Sequence, residues 1–299
     1  MLKDNGIVFG SGSMILGWHE EMSLPRVIAD RFNRNQDVDY GYITSFCVFD
    51  GRVFDAGYQG VVRDTTTGEE IGEPQRDFIF GLAQFDGKML AIREGRKFSA
   101  SMKVLYDVPT NKTLFAMPFE SEGYPLNPRG HSFFIASDRH NLYLSSQNII
   151  KVKLDGGKVS AERLNESLAD SIYLATNGDQ VLAVYDQGPL VNPDGVAVLG
   201  LPDLFRMTYF PAGTSGFGHP QMIALAGNTL IYGGKNSFYA IPITEEMQTN
   251  INGVQSKPHL LLQNAYRNTG VFGRGNPLVA IPRDDLENIL LQAGRRMHQ

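Results

Sequence analysis

The stretch from Phe46 to Ile71, FCVFDGRVFDAGYQGVVRDTTTGEEI, constrains this chain more than any other, because the chain goes on to repeat it. Asp50-Gly51 separates two apolar runs, and Asp-Gly in that position is a strong hairpin signal, since both turn residues must take positive φ. A second reversal is expected between Gly57 and Gly60, followed by a third strand that ends in a Thr-Gly turn. The pattern then returns as LAQFDGKMLAIREG, with Asp86-Gly87 in place of Asp50-Gly51, and continues into MKVLYDVPTNKTLF.

Anchored on the turn between the first two strands of each unit, the recurrence runs the length of the chain. The turns fall at Ser11-Gly12, Asp50-Gly51, Asp86-Gly87, Arg139-His140, Gly178-Asp179, Gly227-Asn228 and Arg274-Gly275. A spacing of about 40 residues is the period of propeller blades. Each turn is flanked by apolar, β-branched or aromatic runs of strand length. The expected architecture is all-β: a seven-bladed β-propeller of four-stranded antiparallel blades, occupying residues 1–299 as one domain. Gly6 to Leu16 parallels Gly270 to Ala280, so the two ends of the chain read as two separate blades. Ring closure then falls to a strand from before Ile7 or from the tail Arg295 to Gln299. Helical pattern is nearly absent; Asp284 to Leu291 has some, but reads as the last blade's third strand.

Composition narrows the function classes. Among 299 residues there are 32 glycines and 15 prolines, as a turn-rich globular protein requires. A net charge of −5 and a pI near 5.7 argue against general nucleic-acid binding, which calls for a basic face. The single cysteine, Cys47, allows no intramolecular disulfide and reads as a small buried apolar residue. No window approaches the roughly 20 apolar residues of a membrane span, and the N-terminus lacks a secretory pattern. A soluble, cytoplasmic protein is the expectation.

Strand-and-turn endings such as RDTTTGEEIG and YDVPTNKTLF resemble the blades of seven-bladed propellers of the quinoprotein-like, kelch and WD-repeat kind. The resemblance covers nearly the whole chain. The Trp-Asp signature of WD repeats is missing, as is the paired glycine of kelch apart from Gly233-Gly234. Such a resemblance implies a fold and leaves the activity open.

The turns joining first to second strands are short, whereas the opposite connections are long and varied, such as RFNRNQDVDYGY and PFESEGYPLNPRGH. Variable loops on a rigid scaffold are how repeat folds build sites, so that end is the expected working face. Counting nine residues back from the second turn residue, or eight in the first and last units, selects Asp4, Tyr42, Phe78, His131, Asp170, His219 and Arg267, at the start of each innermost strand. His131, Asp170 and His219 then come from three consecutive blades. Two imidazoles and a carboxylate can ligate zinc or another divalent metal ion. Alternatively Asp170 orients a histidine as general base while Arg267 holds an anionic substrate. Tyr58, Arg93, Tyr185, Asp186 and Lys235 fall on second-to-third connections, where they would rim a pocket or peptide surface. Trp18-His19-Glu20-Glu21 lacks the second histidine of HExxH and reads as a solvated turn. No GxSxG elbow, phosphate loop or sialidase Asp-box is present.

Two functions follow. One is an interaction or scaffold module that binds a protein or small-molecule partner through the long-loop face, with Tyr42, Arg93, Tyr185, Lys235 and Arg267 contributing. The other is a small-molecule hydrolase or lyase using His131, Asp170 and His219 at the mouth of the central channel. Both require the same backbone. Far-ultraviolet circular dichroism should therefore report strand and turn, with helix below about a tenth against the third usual in globular proteins. A helix-dominated spectrum would refute the architecture.

Overall fold

The computed structural model describes residues 2–11, 13–31, 43–57, 60–72, 79–94, 103–117, 135–145, 149–155, 158–164, 171–178, 181–186, 195–201, 205–211, 222–233, 237–244, 259–263 and 277–297. They form six four-stranded antiparallel sheets and a helix. The first sheet contains β1 (Asn5–Ser11), β2 (Met14–Trp18) and β3 (Arg26–Asp30). The second is β4 (Ile43–Phe49), β5 (Arg52–Gly57), β6 (Val62–Asp64) and β7 (Glu70–Ile71). The third is β8 (Ile79–Phe85), β9 (Lys88–Glu94), β10 (Lys103–Asp107) and β11 (Lys112–Met117), and the fourth β12 (Ile135–Ser137), β13 (Leu142–Ser145), β14 (Ile149–Asp155) and β15 (Lys158–Leu164). The fifth is β16 (Ser171–Thr176), β17 (Val181–Asp186), β18 (Gly195–Gly200) and β19 (Phe205–Pro211). The sixth is β20 (Met222–Ala226), β21 (Thr229–Gly233), β22 (Ser237–Pro242) and β23 (His259–Gln263). Last come β24 (Leu278–Pro282) and helix α1 (Arg283–Met297).

The architecture is a β-propeller of four-stranded blades, but with six sheets among the described residues instead of the seven expected. The surplus came from the chain ends. β24 is not the start of a seventh blade; it pairs antiparallel with β1, from Asn5 opposite Pro282 to Phe9 opposite Leu278, giving the order β24–β1–β2–β3. The chain's first and last units are therefore one blade contributed from both termini. Ser11-Gly12 joins a second strand to a third, and Arg274-Gly275, outside the described residues, precedes a first strand. The likeness of Gly6–Leu16 to Gly270–Ala280 misled because any two strands of such blades share apolar content and glycine-rich ends.

The inner hairpins form as read. Asp50 and Gly51 take φ of 50° and 70°, and Asp86 and Gly87 take 50° and 67°, as the two-residue turn requires. The third-to-fourth turns explain the recurring endings. Asp64 accepts from the Thr67 backbone N–H, and Thr110 Oγ1 donates to Asp107, each at 2.5 Å. A left-handed residue follows in each case, Gly68 or Asn111. Within KTLFAMPF, Lys112–Met117 forms a separate fourth strand, β11.

Inner strands touch in a closed ring: β24, β4, β8, β12, β16, β20 and back to β24. Between each pair of neighbouring sheets lies an apolar cluster. Cys47, Phe54, Leu82 and Met89 fill the gap between the second and third sheets. Ile135, Leu142, Leu90 and Leu105 fill the next. Hydroxyls stitch the inner strands together: Thr44 Oγ1 donates to the Ile79 carbonyl at 2.7 Å, and Thr176 Oγ1 to that of Ser137 at 2.7 Å. Ser45 Oγ accepts from the Leu82 N–H at 2.9 Å.

Asp284 to Leu291 lies in a helix, not in a strand. Leu286, Ile289 and Ala293 recur at helical spacing and are buried, Asp284 and Asp285 stand in the first turn, and Arg295 and Arg296 in the last. Those charges complement the helix dipole, and Pro282 just before the first turn suits helix entry. The buried stripe packs on the cluster of Val8, Ile15, Phe46 and Val53 that joins the first and second sheets. Gly6 and Gly17 make room for it: a Cβ at either would lie 2.3 or 2.7 Å from a Leu286 methyl.

Because β24 completes the first blade, a chain ending before Leu278 should lose cooperative unfolding altogether, as it leaves the inner edge of β1 and the neighbouring sheet faces bare. A chain ending at Pro282 keeps the seam and should retain a cooperative though lowered melt. Indistinguishable melting of full-length protein and the chain lacking β24 would refute closure at this seam.

Candidate functional site

In a blade whose strands alternate in direction, first-to-second and third-to-fourth turns lie at one end of the ring and the remaining connections at the other. Connections from one blade to the next span 31–42, 72–78, 118–134, 165–170, 212–221 and 264–277. They depart from the long-loop end. The expected channel-mouth residues Tyr42, His131, Asp170, His219 and Arg267 lie in these connections and, with Lys235 and Tyr58, outside the described residues. Tyr42 and Asp170 directly precede the inner strands β4 and β16.

The count back from the turns fails at both chain ends. Asp4 precedes β1, a second strand, and sits at the tight-turn end, where its carbonyl accepts from the Arg283 N–H at 3.0 Å. Arg267 was counted from a turn that joins no first strand to a second, so it has no equivalence to His131 or His219.

Arg93, Tyr185 and Asp186 belong to second strands β9 and β17, near the long-loop end, and not to the connections that follow. The Arg93 guanidinium lies 4.5 Å over the ring of Tyr106, which is itself buried. Its charge is thus engaged within its own blade. Cys47 is buried, and desolvation pushes its thiol up to about 12, so it stays protonated and is no nucleophile. No group of metal-ligating side chains occurs among the described residues.

The tight-turn end carries a site that sequence reading passed over. Residues 19–25 connect β2 to β3, and α1 leaves the ring beside them. The turn is solvated on one side only: Glu20, Glu21 and Leu24 are exposed, but Trp18 is 3% and His19 8% exposed. Trp18 Nε1 donates to the Met22 carbonyl at 2.9 Å, and the Met22 N–H to the His19 carbonyl at 2.9 Å. His19 Nε2 stands 3.7 Å from Glu287 of α1, while its buried Nδ1 has no hydrogen-bond partner. Arg283 clamps Glu21 with two bonds of 2.5 and 2.6 Å and reaches Glu287 at 2.8 Å. Between turn and helix runs an open groove of about 890 Å³. A buried tryptophan followed by a histidine was the available signal, but it needed the helix, misread as a strand, to become a site.

No known family model matches this chain, and no curated protein matches it. Among solved structures, a chain in the crystal structure of a nidogen/laminin complex has a similar fold, with a TM-score of 0.57 at 13% identity. The match covers 92% of this chain and 98% of that one. At that identity the likeness concerns the fold.

Arg283 hydrogen bonding holds the Glu21 carboxyl below its usual range, with desolvation opposing it and the charges of Arg283 and His19 assisting. A carboxyl so depressed stabilises the folded state above its unfolded pKa, near 4.3, and loses that contribution as pH falls through the folded value. In Arg283→Gln, the Glu21 titration followed by carboxyl-carbon NMR should move up towards the ordinary glutamate value. An unmoved titration would show that the clamp does not persist in solution.

Proposed function

We propose that this chain is an interaction module, a propeller that holds a protein partner on its long-loop end. The observation that carries the reading is the asymmetry of the ring. The five first-to-second turns, such as Asp50-Gly51 and Asp86-Gly87, are short and lie at one end, which also holds the third-to-fourth connections 19–25 and 243–258. The other end receives every blade-to-blade connection, among them 31–42, 118–134, 212–221 and 264–277. Rigid closed scaffolds with sequence-rich connections gathered at one end suit recognition of a macromolecule. The described residues contain no helix long and apolar enough to cross a membrane. The similar chain comes from a protein–protein complex, which is in keeping with a binding role here.

Replacing 118–134 and 212–221 by Gly/Ser connectors of equal length should leave the melting transition nearly unchanged, because the blades pack through their strands. The same replacement should abolish capture of whatever partner the native protein retains. A partner held equally by the replaced and native chains would overturn the reading. So would stoichiometric divalent metal in purified protein that is lost in His131→Ala, since a metal centre at His131, Asp170 and His219 would make that end a chemical site.

A further inference from the structure

The groove at the tight-turn end has properties that the ring itself does not need. Leu24 and Leu291 line it from opposite sides and are 72% and 56% exposed. Both are large aliphatic side chains standing in water on one concave surface. Arg26 and Arg295 also line it, and neither has an ion-pair partner among the described residues. Glu21 and Glu287 are already served by Arg283. The lining thus holds two guanidinium groups and two carboxylates; both carboxylates are held by Arg283 from outside it, and the two charges left unpaired are positive. Opposite charge and apolar contact are what an incoming segment would have to supply.

One further feature points at an occupant. Gly294 stands inside α1, where glycine weakens a helix, and a Cβ added there would meet nothing within 4 Å. No packing among the described residues calls for a glycine at that place, whereas a close approach by another backbone would.

We infer that the groove between the β2–β3 turn and α1 docks an acidic peptide segment of a partner protein, bearing an aliphatic or aromatic anchor that packs between Leu24 and Leu291. Arg26 and Arg295 receive its carboxylates, and Gly294 lets its backbone approach the helix. A membrane surface fits less well, because the groove is concave and a flat bilayer would not reach between Leu24 and Leu291. The site lies at the end of the ring opposite the long connections, so it is independent of partner binding there.

The probe is a random short-peptide phage library selected on the intact chain, followed by anisotropy titration of the best synthetic peptide. The expected consensus combines Asp or Glu with Leu, Ile, Phe or Trp. Gly294→Leu fills the groove from open space and should weaken the peptide about tenfold or more while the melt stays put. Arg26→Glu with Arg295→Glu should do the same, and added salt should weaken the native complex. If Gly294→Leu disturbs folding, Leu24→Ser, at a largely exposed position, supplies the equivalent test. A basic consensus, no consensus, or unchanged affinity in these variants overturns the proposal. So does concentration-dependent dimerisation lost in Gly294→Leu, which would assign the groove to a second copy. Binding to phosphatidylserine vesicles lost in Arg26→Glu would overturn it in favour of a lipid surface.

Discussion

Everything in this molecule depends on sheets packing face to face around a closed ring. Each apolar cluster draws its side chains from two neighbouring sheets, so no blade owns a core of its own. Val196 and Val198 of one sheet need Ile223 and Leu230 of the next, and Ile7 and Phe9 need Ile231 and Phe238. A blade removed from the ring would expose both its faces at once, which is why the pairing of β1 with β24 matters beyond its own hydrogen bonds. The seam joins the two ends of the chain, and through it the first sheet acquires the inner strand that meets β4 and β20.

Buried polar groups add register to this apolar packing. Arg31 bonds both carboxylate oxygens of Asp55, at 3.2 and 2.7 Å, and ties the end of the first blade to the interior of the second. With Asp55 almost fully buried, removing Arg31 would strand a charge at a cost of about 3–5 kcal/mol. Asp138 plays a local part in the fourth blade. Burial opposes its charge, but hydrogen bonds from Tyr143 and Asn141 and from the backbone of His140 and Asn141 prevail, holding the carboxyl below its usual range. Groups like these are satisfied in one arrangement only, so they select the native pairing among many similar strands.

The two ends of the ring then carry different burdens. At one end the connections between blades bring sequence variety to a surface that the strands keep rigid. At the other, mostly short turns leave room for the helix that follows the closing strand, and with it a groove of mixed apolar and charged character. Placing a second surface beside the seam couples it to the most critical joint of the fold, because Leu286 of the helix is seated among the strands that meet there.

Local chemistry by itself determined the blades. Asp-Gly turns, alternating apolar runs and the Asp-x-x-Thr endings are short-range features, and each acts within one hairpin, so they could be read without knowing what lay next to them. Thr44, Ser45 and Thr176 looked like ordinary strand residues, since the backbone groups that they bind belong to other blades. The number of blades, the union of first and last units, and the helical state of Arg283–Met297 were decided only by tertiary structure. Ring closure pairs strands from opposite ends of the chain, and no local pattern distinguishes a strand that begins a blade from one that completes another. The groove beside His19 was hidden for the same reason: its two walls lie at opposite ends of the sequence and meet only because the ring closes.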